Sequence, residues 1–240
     1  MLELTACGEQ VLELAREICR LDSQVQQIAS GFRGLTAGKV RIGAFSIPGT
    51  YWIPQMVKTF RQQHPNIEFE IYSEHCEILI DWLLAGRIDM SFTALPIPEK
   101  MDCIPLRDDP MVAILPRDHP LSGAECFPVE RFGREEMILT YRGAAMSVFQ
   151  AARVKPNIKY AIADANTAIS MVENGLGISL LPQMVLAGHD LTGLCAKRLD
   201  KPCYRTFGIV LPDMERASPA AKEFIRHAQV WMRAHSGTVC

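Results

Sequence analysis

The sequence has no CxxC pair and no group of cysteines and histidines at zinc-ligand spacing, so its local pattern builds neither a metal centre nor a dithiol. Its eight cysteines (Cys7, Cys19, Cys76, Cys103, Cys126, Cys195, Cys203 and Cys240) are scattered along the chain. They read as small packed hydrophobes in a reducing compartment. There is no GxSxG, HExxH or Walker loop, so no enzyme motif, cofactor or metal is expected. Gly175-Leu176-Gly177 follows a helical stretch and reads as its C-terminal cap rather than a dinucleotide turn. His75-Cys76 is adjacent in sequence, but adjacency alone does not make a catalytic pair. Charge of one sign is also lacking: the formal net charge is −2, too small to draw the chain onto nucleic acid. No window reaches the roughly 18 apolar residues of a membrane span. The N-terminus mixes Glu3, Glu9 and Glu13 with its apolar residues and carries no basic leader. These absences describe a soluble, cytoplasmic protein that does not engage a membrane.

What is present begins with a heptad. Leu4, Val11, Ile18, Val25 and Phe32 recur every seven residues, and Cys7, Leu14, Leu21 and Ile28 follow three residues behind. This is an a/d seam, which predicts a helix packed on a second copy of the chain; the plainer alternative is a long amphipathic helix lying on its own domain. Thr5 stands where a cap would start the helix, and Gly31 and Gly34 stand where it would stop. Residues 1–35 are therefore read as a linker and dimerisation helix.

From residue 39 the pattern alternates strand and helix, which predicts an α/β fold with parallel sheets. Lys39–Ala44, Glu68–Tyr72 and Asp89–Ala94 read as strands, separated by helices over Thr50–Gln63 and Cys76–Ala85. Cys103–Leu106 and Met111–Leu115 read as two further strands. A second unit follows, with strands at Met137–Tyr141, Lys159–Ala163 and Gly177–Leu180 and helices near Ala145–Ala152 and Thr167–Glu173. Tyr204–Leu211 reads as a returning strand, and Ser218-Pro219 as the cap and first residue of a last helix. Two β/α units imply two lobes with a ligand cleft beyond the carboxyl ends of their strands.

The order of phrases resembles one family. LTACGEQVLELARE is similar to the segment that follows the winged helix-turn-helix of LysR-type transcriptional regulators. GKVRIGAFSIPGTYWIPQMVKTFRQQHPNIEFEIYSE, LLAGRIDMSFTALP, PLRDDPMVAILPRDHPLSG and MVENGLGISLLP resemble later phrases of that family, in register. The resemblance implies two lobes of periplasmic-binding-protein-like (type 2) topology: lobe I at 37–109 with 207–240 returning to it, and lobe II at 110–206. It implies a missing N-terminal DNA-binding domain that would reach promoter DNA, and assembly as a homodimer or homotetramer through Thr50–Gln63 and the Glu68–Tyr72 edge. It also implies a small anionic metabolite as effector, held in the cleft.

The residues matching the effector positions are Ser46 and Thr50 after the first strand, Thr93 after the third, and Thr140, Tyr141 and Arg142 at a strand end of lobe II. Asn166 and Thr167 open a further helix. A hydroxyl beside free N–H groups at a helix start accepts an anion without net charge, and Arg142 suits a carboxylate. Each has a plainer alternative: Ser46 and the Asp164–Thr167 stretch as helix caps, Thr93 as a β-branched strand end, Arg142 as a solvated loop residue. Here Ile47-Pro48-Gly49 interrupts the run of Ser/Thr usual in the family. Two other functions stay open: a transport solute-binding protein, which has no use for the heptad, and a thiol-based redox sensor using Cys195 and Cys203.

Overall fold

A computed structural model describes residues 38–45, 47–97, 100–140 and 142–235, with isolated positions of the N-terminal segment (5, 7, 8, 11, 12, 14, 15, 18, 21, 22 and 25). Those at Cys7, Val11, Leu14, Ile18, Leu21 and Val25 are helical and exposed, Leu14 and Ile18 by 66% and 67%. The Gly8 N–H donates to Thr5 Oγ1 at 3.1 Å, the cap read from the sequence. The seam positions Leu4, Ile28 and Phe32, and the stop at Gly31 and Gly34, lie outside the described residues.

The chain divides into two units, one built on residues up to Arg107 and again from Thr206, the other on Asp108–Arg205. In the first unit β1 (Gly38–Ala44), β2 (Ile67–Ser73) and β3 (Met90–Leu95) are parallel, in the order β2-β1-β3. Their Val, Ile and Phe residues, β-branched or aromatic, suit a pleated sheet covered on both faces. One face meets α1 (Ile53–Gln63) and α5 (Pro219–Ala234), where Phe60 packs edge-on against Phe69 at 5.6 Å and Phe224 at 5.3 Å between ring centres. Ser218 caps α5, accepting from Ala221 N, and Pro219 occupies its first turn. The other face meets α2 (Cys76–Leu84), whose Leu79 lies over Gly43.

β4 runs unbroken from Asp102 to Pro116, where two strands were expected. β10 (Tyr204–Leu211) brings the chain back and pairs antiparallel with β3. The sheets are accordingly mixed rather than purely parallel.

In the second unit β6 (Met137–Leu139) lies between β7 (Ile158–Ala161) and β8 (Ile178–Pro182), parallel to both. β8 and β9 (Leu194–Leu199) pair antiparallel with β4, and the short β5 (Cys126–Phe127) pairs with β9. Met137, Leu139, Ile178 and Leu180 form a core with Ala145, Val148 and Phe149 of α3 (Arg142–Ala152). The intervening Ile138 and Ser179 face the other way, the side covered by α4 (Ala165–Glu173). Gly177, at φ +144°, lies so close to Glu136 that a Cβ would sit 2.4 Å from its carbonyl oxygen, which requires glycine there.

Candidate functional site

Each unit gathers its candidate residues at the carboxyl edge of its own parallel strands, the usual place for ligands in such sheets. In the first unit β1 ends at Ala44, and Phe45 N donates to Phe92 O at 2.9 Å, tying the β1 exit to β3. Phe45 and Ile47 are buried, at 6% and 3% exposure. Pro48 then opens a wide turn, Pro48–Trp52, ahead of α1. Proline has no N–H, and the Gly49 N–H is given to Phe45 O at 3.2 Å, so this helix start offers fewer free donors than its sequence promised. Thr50 is exposed on the turn. Ser46 lies outside the described residues.

Thr93, expected after the third strand, instead lies within β3, where it pairs with Gly208 of β10, and it is fully buried. Its hydroxyl donates to Cys76 Sγ at 2.9 Å, and Cys76, at the first position of α2, is half-buried. The group nearer solvent at this point is therefore the sulfur. The sequence marked Cys76 only as the neighbour of His75; its contact with Thr93 was missed because the two lie 17 positions apart. The place of Cys76 directly before an amphipathic run, on a strand-to-helix exit, was the available signal.

In the second unit Thr140 leaves β6 with 1% exposure, and its Oγ1 has no hydrogen-bond partner among the described residues. Buried hydroxyls are almost always paired, because an unpaired one forfeits its hydration. The chain passes from Thr140 to the first turn of α3 within two residues, and that turn holds no acidic side chain. Tyr141 and the Arg142 side chain lie outside the described residues. Ser91 Oγ also has no such partner, yet it sits beside Gly43, near Leu79 and Ile88, at the amino end of β3 and not at the carboxyl edge.

The second helix start on this edge is already filled. Asp164 caps α4, its Oδ2 accepting from Thr167 N at 2.7 Å and Thr167 Oγ1 at 2.8 Å. The Thr167 N–H, then its hydroxyl, hold the Asp164 carboxyl below the usual carboxylate range. Asn166 and Thr167 are exposed on the first turn, with the Thr167 hydroxyl committed to the cap. Among the described residues no group of acidic, histidine and cysteine side chains could hold a metal ion.

The thiol reading meets a distance. Cys195 pairs with Leu115 on β4, whereas the Cys203 carbonyl accepts from Met111 N, four residues back on the same strand. That is roughly 13 Å at the rise of a strand. A disulfide needs Cα atoms within about 7 Å, so these two thiols do not reach each other in this fold.

Residues 33–233 match the LysR substrate binding domain. The chain belongs to the LysR family. Over 232 residues it is 31% identical to the HTH-type transcriptional regulator YvbU of Bacillus subtilis, spanning 95% of this chain and 79% of that one. The fold is that of LysR effector-binding domains, periplasmic-binding-protein-like in topology. It is similar to the effector binding domain of QuiR in complex with shikimate (TM-score 0.75, 19% identity, 83% of this chain and 99% of that one). It is likewise similar to the BenM effector binding domain with benzoate (TM-score 0.74, 22% identity, 83% and 94%). This LysR chain is an effector-sensing domain of a regulator family, which does not favour the transport reading. Among the described residues no helix is long and apolar enough to cross a membrane.

Proposed function

We propose that this domain takes up a small anionic metabolite at the Thr140 corner of its second unit, and that occupancy modulates DNA binding and transcription by the whole cytoplasmic regulator. The buried Thr140 hydroxyl, without a partner among the described residues, carries the reading. It is a polar group held ready at a strand end, next to a helix start whose N–H groups favour negative charge. Arg142, opening that helix, is the residue type that grips a carboxylate with two hydrogen bonds. Tyr141, Asn166 and Thr167 complete the proposed contacts of this unit, and Ser46 and Thr50 are proposed contacts at the first unit's own strand edge. Relatives of this fold bind benzoate and shikimate.

The domain acts as a homodimer or homotetramer. The seam residues Val11, Leu14, Ile18, Leu21 and Val25 are exposed on a single chain, and a second helix packed along the seam would remove them from water. α1 offers a shallow face of mixed character at Pro54, Val57, Lys58, Arg61 and Gln62, with Pro65 just after the helix, and β2 carries Ile71 at 47% exposure. The effector can act only by binding two arrangements of the assembly unequally, and a winged helix-turn-helix domain would carry the difference to promoter DNA.

Thermal unfolding with millimolar benzoate, shikimate, butanoate and lactate tests the anion reading. A concentration-dependent rise in midpoint with at least one of them is expected. No rise with any would contradict it.

A further inference from the structure

We infer that Asp164 sets the charge of the ligand: the second unit receives one anionic group at the start of α3 and turns away a second that reaches toward α4. The inference rests on the reading of the Thr140 corner given above.

β6 and β7 are neighbours in register, Ile138 with Tyr160 and Leu139 with Ala161, and Ile162 N donates to Leu139 O at 2.9 Å. Thr140 and Asp164 therefore stand one and three residues past adjoining strand ends. Met137 and Leu139 pack with α3, so alternation puts Thr140 on the face covered by α4, the helix that Asp164 caps.

The two helix starts on this edge differ in sign. A helix N-terminus acts as about half a positive charge. The first turn of α3 has no acid, so no carboxylate within that turn offsets the charge. At α4 the Asp164 carboxylate, fixed by Thr167 N and Oγ1, more than cancels it. At physiological salt the screening length is about 8 Å, so a second carboxylate a few ångströms from Asp164 is repelled with only partial screening. A hydroxyl or ammonium group on the same ligand meets an acceptor there instead. The ligand class is then a monoanion whose far side is apolar or carries hydrogen-bond donors.

The test titrates matched pairs, benzoate against phthalate and butanoate against succinate, into the protein and into D164N and D164S by calorimetry. Asn and Ser cap helices as well as Asp, so both variants keep α4 while losing the charge. In the wild-type protein the monocarboxylate of a pair binds at least about fivefold tighter than its dicarboxylate, and both variants narrow that ratio to about twofold through tighter dicarboxylate binding. Raising ionic strength narrows the wild-type ratio as well. Equal binding of both members by the wild-type protein, or a ratio unchanged in the variants, overturns the inference and leaves the anion reading intact. If no monocarboxylate binds, the anion reading itself fails and the inference goes with it.

Discussion

Thr93 gives its hydroxyl hydrogen to Cys76, with 2.9 Å between oxygen and sulfur, and so joins β3 to the first turn of α2. The hydroxyl is fully buried, and the cysteine is the acceptor that satisfies it. Removing the acceptor strands a donor, which costs about 1–3 kcal/mol. C76A is expected to lower stability in that range by urea denaturation at unchanged m-value, with C76S losing less than about 1 kcal/mol because an acceptor remains. Adding T93V to C76A should return part of the loss. If C76A and C76S are tolerated equally, the contact contributes nothing.

Asp109 is 1% exposed on β4, and both its oxygens accept from Met184 N, at 3.1 and 3.3 Å. A buried carboxylate is tolerated because its partners face it, and deleting it leaves them stranded. D109A is expected to lose about 1–3 kcal/mol in guanidinium denaturation, and D109N less, since the amide keeps one acceptor oxygen. A D109A protein as stable as the parent would mean that Met184 N finds another acceptor.

His227 of α5 faces α1, its Nε2 2.9 Å from Thr59 Oγ1 and its ring packed on Phe60 and Phe224. Thr59 donates to Gln55 O, so Nε2–H is the donor to Thr59. Burial pushes His227 below its ordinary value near 6.5, against smaller opposing pulls from the Met56 carbonyl and the Glu223 carboxylate. The folded state therefore binds fewer protons at this site than the unfolded chain does. Stability from it is complete above the ordinary histidine value and is lost as pH falls through that value toward the folded one. H227Q keeps a donor for Thr59 and should flatten the fall in melting temperature just below pH 6.5. The same slope in wild type and H227Q would assign the effect elsewhere.

The heptad seam predicts association through the N-terminal helix. V11D and I18D place charge on exposed seam positions, so the folded unit should keep its melting temperature while self-association weakens by about tenfold or more in sedimentation velocity. Unchanged association would move the interface to the α1 and β2 face.

Strand and helix positions were legible wherever one period held. KVRIGA and EFEIY alternate cleanly, and the stripe of Ala221, Phe224, Ile225, Ala228 and Trp231 marks α5. β4 read as two strands because Arg107-Asp108-Asp109-Pro110 breaks the apolar pattern; Asp109 is nevertheless buried, its carboxyl accepting from Met184 N, 75 positions away in sequence. β9 went unread because Cys195, Lys197 and Arg198 dilute a strand whose ends alone, Leu194 and Leu199, are buried. Parallel sheets were expected because the β/α alternation is local, whereas the antiparallel pairings of β8 and β10 are long-range. At the site, Thr140 was legible as a strand-end hydroxyl, but its lack of a partner was not. Asp164 was legible as a cap. Its effect on a neighbouring helix start depends on β6 lying beside β7, which no local pattern announces.

The most direct test of the account is the unfolding of T140V with and without benzoate or whichever monocarboxylate stabilises the parent. Valine keeps the shape and removes a buried hydroxyl that has no partner among the described residues. T140V is predicted to be more stable than the parent by about 1 kcal/mol without ligand, and to lose the ligand-induced rise. A variant that is less stable, or that keeps the full rise, would show that Thr140 is ordinary core and that the effector is held elsewhere.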